Sequence, residues 1–203
     1  LDAAGARHAA FHADLADPAA VRALVPEVAA AFGAPVALLV NNASCFCAGD
    51  DAAAAMEAMV AHFAVNAAAP VALATALRDG GGAAVVNILD QRILHPPRDQ
   101  GAYTLSKQAL AEATRTLAAA LAPAVRVNAV APGLTLPTPD YLPEQVTRLA
   151  GMMPLGCLPT PDDVADAVLF LAGARASTGQ LLFVDGGASL TRFDRDFVHL
   201  GRD

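Results

Sequence analysis

Val36-Ala37-Leu38-Leu39-Val40-Asn41-Asn42-Ala43-Ser44 passes from five aliphatic residues straight into a small, mostly polar stretch. An apolar run without alternation suits a strand covered on both faces, as in a parallel sheet with helices on either side. Working outward, similar short runs recur at His8 to Asp14, Ala83 to Leu89, Val125 to Val130 and Leu181 to Val184. Longer Ala-rich stretches of helical periodicity separate them, the order expected of βαβ units. Asp17 and Pro18 open one helix, with Val21, Leu24, Val25 and Val28 on one face and Gly33 at its end. Asp50 and Asp51 start a second, which runs toward Leu77 and closes between Asp79 and Gly82. Gly101 to Leu121 forms a third; a Pro-rich loop from Pro132 to Pro143 leads to a short helix around Glu144 to Ala150; and Thr160 to Asp163 caps a last one reaching Leu171. The expectation is a Rossmann-type doubly wound sheet. No linker, repeat or charge block divides residues 1–203, so they read as one α/β domain.

Composition narrows the function. Thirteen Lys and Arg against twenty Asp and Glu leave a net charge of −7, which argues against binding nucleic acid through a basic patch. With 55% hydrophobic residues the chain can build a sizeable core, yet its apolar runs break before the roughly 20 residues of a membrane span. Cys45, Cys47 and Cys157 form neither a metal nor a disulfide pattern, and the five His show no ligand spacing. A cytoplasmic protein without a metal is expected.

In an open parallel sheet, ligands sit beyond the carboxyl ends of the strands. That rule selects Ala13-Asp14-Leu15, Asn41 to Ser44, Asn87 to Asp90, and Pro132-Gly133-Leu134-Thr135. Tyr103 and Lys107, at i and i+4, share one helix face just after the strand that ends in Asp90. An ammonium ion beside a phenol favours the phenolate, so Tyr103 is expected to titrate below its usual value and to serve in proton transfer.

Asn41-Asn42-Ala43-Ser44 after a strand, Asn66 in Val65-Asn66-Ala67-Ala68-Ala69-Pro70, Tyr103 to Lys107, Arg126-Val127-Asn128 leading to Pro132-Gly133, and Val184-Asp185-Gly186-Gly187 together resemble the short-chain dehydrogenase/reductase family. Ser44 where most members have Gly, Phe46 two residues later, and Asp90 in place of the catalytic Ser resemble the pteridine reductase subgroup, including dihydromonapterin- and dihydrofolate-type reductases. The resemblance implies a reductase that transfers hydride from NADPH, with NADH as the alternative, to a C=N bond of a pterin. Asp90, Tyr103, Lys107 and Asn66 would be catalytic, with Asn66 supporting a water that relays protons to Lys107. Asp90, in a closed apolar site, would stay protonated and donate; the alternative is a carboxylate paired with Arg92 or Arg98. Ser44, Phe46, Asp90 and Tyr103 would meet the substrate, Phe46 stacking on its ring. Asp14, Leu15, Asn41, Ala43 and Ser44 would meet the adenosine half of the cofactor; Tyr103, Lys107 and Pro132 to Thr135 would meet the nicotinamide half.

The family also implies a strand, a Gly-rich turn and a helix ahead of Leu1, and no GxGxxG or TGxxxGxG occurs in the sequence. Leu1 would fall near the end of the second family helix. A homotetramer is implied, through Ala-rich helix faces such as Ala109, Ala113 and Ala120. The segment from Phe193 to Asp203 would dock on a neighbouring subunit or fray. Two other readings stay open: a short-chain reductase for a ketone or alcohol, and a non-catalytic scaffold.

Overall fold

The computed structural model describes residues 5–46 and 55–202. Among the described residues four strands, β1 (Leu38–Asn41), β2 (Ala84–Ile88), β3 (Arg126–Pro132) and β4 (Leu181–Val184), lie side by side in sequence order. All three pairings are parallel, with Leu39 opposite Val85, Val86 opposite Asn128 and Val130 opposite Leu182. Helices α1 (Pro18–Phe32), α2 (Ala55–Phe63), α3 (Ala69–Asp79), α4 (Gly101–Leu121), α5 (Pro143–Met152) and α6 (Pro161–Gly173) make the crossovers and the layers. This is the Rossmann-type architecture expected.

Alternation along each strand sorts the core by face. Val85 and Val127 meet Ala74 and Leu77 of α3 and Leu117, Ala118 and Leu121 of α4. Val86 and Val130 point the other way, against Ala167 and Leu171 of α6. The helix boundaries follow local chemistry: Asp17 caps α1 through Ala19 N, Gly33 ends it in the left-handed region, and Thr160 and Asp163 cap α6 reciprocally.

Two expectations change. His8 to Asp14 is not a strand, because no strand lies beside it among the described residues and an extended run without a ladder partner has no sheet to join. The start placed at Asp50 and Asp51, like Cys47, lies outside the described residues. The helix from there to Asp79 is interrupted by a π turn at Ala64–Ala68, and the run Met56–Asp79 is long and apolar enough by composition to span a membrane. It packs instead as a core helix, with Ala69, Leu73, Ala74 and Leu77 buried against α1, α4 and the sheet.

Two family motifs prove to be fastenings. Arg126 donates to the carbonyls of Leu171, Ala172 and Ala174 at the end of α6, while Asn128 bonds Ser177 O and Gln180 N, so β3 aligns β4. Asp185 accepts from Gly187 N and Ser189 N. Gly186 turns at φ 64°, where a Cβ would come within 2.3 Å of Cys157 O.

Candidate active site

Strand β2 ends at Ile88, and the chain turns at Asp90, whose carboxylate Oδ1 accepts from Arg92 N at 2.9 Å and caps a short 3-10 turn, Gln91–Ile93. Helix α4 then begins at Gly101, which puts Tyr103 in its first turn, facing back toward Asp90. The Tyr103 hydroxyl donates to Asp90 Oδ2 at 3.2 Å. Lys107, one turn on, donates from Nζ to Ile88 O at 3.0 Å and stands 5.7 Å from the centre of the Tyr103 ring. Carboxyl, phenol and amine therefore converge. Asp90 also makes the contact given as its alternative: Arg92 Nε lies 3.2 Å from Oδ1, so the carboxyl sits against a guanidinium and not in an apolar enclosure.

The electrostatics correct the expected sign at Tyr103. Burial pushes the phenol up, the Asp90 carboxylate facing it pushes the same way, and Arg92 and Ser44 oppose them without winning. Tyr103 therefore holds its proton well past neutral pH. Lys107 moves to about 8, because burial penalises its charge more than Asp90 sustains it. Burial also works against the charge of Arg92, but Asp90 and Asp196 outweigh it and the guanidinium is held more firmly than usual.

Asn66 lies in the π turn, fully buried, with its side chain wholly engaged. Its Oδ1 accepts from Ser44 Oγ and Cys45 N, and its Nδ2 donates to Cys45 O and Ser106 Oγ. The side chain thus clamps the loop after β1 onto α4. That loop carries Phe46, which is 53% exposed and meets the Tyr103 ring edge-on at 4.8 Å, so it is not a core residue.

A cavity of about 790 Å³ opens over these groups, within the range of small-molecule and cofactor sites. Asn42, Ile88, Asp90, Arg92, Tyr103 and Pro132 to Thr135 line it, together with the apolar Val164, Val168 and Leu169 of α6. The residues expected at the nicotinamide half fit such a group, since Pro132 to Thr135 and Tyr103 line the cavity and the buried Lys107 stands beside the Tyr103 ring. Those expected at the adenosine half do not line it. Asp14 is exposed and accepts from Ala16 N, Leu15 packs beside α1, Ala43 is exposed, and Asn41 is buried with its amide on Asn87.

Four neighbours of the site escaped the sequence reading. Asp196 holds Arg92 Nη2 at 2.7 Å from a segment remote in sequence. Tyr141 lines the cavity, and burial and then Asp196 push its phenol up. Gln145 pins the chain that carries Asp196. His62, buried on α2, meets the Tyr103 ring edge-on at 6.0 Å. Only His62 had a signal, its place four residues before Asn66.

Comparison with known proteins places this geometry. The family model described as enoyl-(acyl carrier protein) reductase matches residues 1–189. An uncharacterised oxidoreductase of Mycobacterium tuberculosis is 34% identical over 96% of this chain and 78% of its own length. Galactitol 2-dehydrogenase of Cereibacter sphaeroides is 36% identical over 86% of this chain and 73% of its own. Among solved structures, FolM alternative dihydrofolate reductase 1 from Brucella canis, complexed with NADP, superposes with a TM-score of 0.87 at 39% identity, covering 95% of this chain and 77% of that one. The Brucella suis protein, also with NADP, gives 0.86 at 40%, covering 95% and 78%.

Proposed function

The chain belongs to the short-chain dehydrogenase/reductase family, and from that premise we propose that it is an NADPH-dependent reductase of a C=N bond in a dihydropterin or dihydrofolate. One observation carries the reading: a carboxylate, Asp90, occupies the place of the usual family serine and receives the Tyr103 hydroxyl at 3.2 Å. A carboxylate accepts strongly from ring and amino N–H groups, which a pterin presents and a ketone lacks. The likeness to two NADP-bound reductases of dihydrofolate supports the cofactor and the substrate class.

Pro132 to Thr135, Tyr103 and Lys107 would hold the nicotinamide half, and Asp14, Leu15, Asn41, Ala43 and Ser44 the adenosine half. Bound there, NADPH supplies the hydride that goes to carbon. The ring nitrogen needs a proton, and Tyr103, still protonated at neutral pH, is the donor. As that proton leaves, negative charge grows on the phenolic oxygen between the Arg92 guanidinium, 4.9 Å from the ring, and the Lys107 ammonium. Lys107 then restores the proton. Asn66 acts by fixing the loop that presents Ser44 and Phe46, and Phe46 closes on the flat substrate. A homotetramer in the cytoplasm completes the reading.

A second reading, oxidation of a polyol or reduction of a ketone, is favoured by the likeness to galactitol 2-dehydrogenase. A rate panel decides: dihydrobiopterin, dihydromonapterin, dihydrofolate, a simple ketone and galactitol, with NADPH or NADH and their oxidised forms. The pterins with NADPH are expected to exceed the others in kcat/KM, and Asp90→Ser to lose pterin reduction selectively. A polyol or ketone turned over faster than every pterin overturns the proposal.

A further inference from the structure

The segment after β4 reaches the proton-donating end of the cavity from outside it. Asp196 is buried, its side chain 6% exposed. Its Oδ1 accepts from Val198 N at 2.9 Å, capping the 3-10 turn Phe197–His199, and its Oδ2 accepts from Arg92 Nη2 at 2.7 Å. Asp196 N donates to Asp99 Oδ1 at 2.8 Å and Arg98 N to Asp194 O at 3.0 Å, so the segment is stitched to the loop joining Asp90 to Tyr103. From α5, Gln145 Nε2 donates to the carbonyls of Phe197, Val198 and Leu200. Arg92 passes this anchoring on: its backbone N and its Nε both address Asp90 Oδ1, and its guanidinium lies over the Tyr103 ring. Arg92 Nε and Nη1 make no hydrogen bond among the described residues, so the fork is held by the hydrogen bond from Nη2 to Asp196 and by the ion pair of Nε with Asp90.

We propose that Asp196 is a positioning residue for the reduction, acting through Arg92: it holds the guanidinium that keeps Asp90 on the Tyr103 hydroxyl, and it cancels one positive charge beside the proton donor. The proposal rests on the reading of Tyr103 as that donor. The groups acting on the phenol or the amine are Asp90 and Arg92 from the turn after β2 and Ser44 and Cys45 from the loop after β1, with His62 of α2 edge-on to the ring; Asp196 reaches them through Arg92, Tyr141 answers to Asp196, Arg92 and Asp90, and Asp99, with Arg195 and His199 at 3.9 Å, accepts from Asp196 N. An uncancelled guanidinium stabilises the phenolate and repels the ammonium, so both groups release protons at lower pH; removing the guanidinium does the reverse. Because Tyr103 and Lys107 both answer to Asp90 and Arg92, the alkaline limb of the rate profile is read for the two together.

The test compares Asp196→Asn, Asp196→Glu and Arg92→Gln in the full chain. Asn keeps an oxygen for Val198 N but turns an amide N–H toward Nη2. In Asp196→Asn the alkaline limb of kcat for dihydropterin reduction is expected to move down by roughly half a pH unit or more, and in Arg92→Gln to move up. Asp196→Asn also loses roughly tenfold in kcat, with KM for NADPH unchanged, and Asp196→Glu recovers most of it. Wild-type limbs in both variants, whatever happens to Tm, overturn the proposal and leave Asp196 a cap for the segment. Should the wild-type chain reduce a ketone and no pterin, the pterin reading falls, and the same pair of shifts on the ketone still decides the role of Asp196. Should nothing be turned over, phenolate absorbance decides. The sequence has two Tyr and no Trp, so Tyr141→Phe leaves Tyr103 as the reporter. Its onset is expected earliest with Asp196→Asn and latest with Arg92→Gln, and coincident curves overturn the proposal.

Discussion

A phenol hydrogen-bonded to a carboxylate keeps its proton longer than one that faces only an ammonium ion, and Tyr103 faces both. The carboxylate is the nearer, at 3.2 Å, and burial works in the same direction. Tyr103→Phe retains the ring contacts with Phe46 and His62 but leaves Asp90 Oδ2 without its donor. It is expected to lose roughly 10²–10⁴-fold in kcat, with NADPH affinity by fluorescence titration largely retained through Lys107 and Pro132 to Thr135; residual turnover near wild type removes Tyr103 from the donor role. Lys107 contributes with the opposite sign to stability. Its folded value, about 8, lies below the 10.5 of the exposed group, so the folded state binds fewer protons between those limits. Its contribution is present above about pH 10.5 and is lost as pH falls through about 8. Lys107→Met is therefore expected to be more stable at pH 7 by on the order of 1–3 kcal/mol, an advantage that shrinks by pH 10 in urea unfolding, while turnover collapses. The i, i+4 spacing of Tyr103 and Lys107 was legible in the sequence. The sign of the Tyr103 shift was not, because burial and the distance to Asp90 exist only once β2 and α4 are packed.

Among the elements, α4 and β4 keep the bounds read from the sequence, and α1 runs between its caps Asp17 and Gly33. The π turn in the helical run around Asn66 left no such mark. It coincides with an amide whose four hydrogen bonds go to the loop after β1 and to α4, partners that no local pattern announces. His8 to Asp14 has the composition of a strand and lacks the neighbour that would make it one. Gln145 shows the same dependence on distant chain, since its amide reaches three carbonyls some fifty residues on. Gln145→Leu removes the donor of Leu200 O, while Phe197 O keeps Leu200 N and Val198 O keeps Arg202 Nε. A loss of about 1–3 kcal/mol in denaturant unfolding is expected, with faster hydrogen exchange at residues 197–201. Unchanged exchange there would show that Leu149, Phe193 and Phe197 hold the segment by packing alone.

At the scale of the whole molecule, the parallel order, the two helical layers and the rim of strand ends were all readable, because apolar runs and their polar termini follow directly from burial on both faces. The behaviour of the last segment was not. Its charges suggested an end that frays or reaches a neighbour, whereas it folds back on its own chain through Asp194, Asp196 and the carbonyls that Gln145 collects. The contact between Arg92 and Asp196 spans 104 residues of chain and waits for a segment beyond β4. A chain folded only as far as Val184 would hold β1 to β4 and the helices on both faces, yet its phenol and carboxylate would lack their brace. Synthesis and competence for chemistry are thus separated in time, and the last turns to emerge complete the tool that the earlier ones shaped.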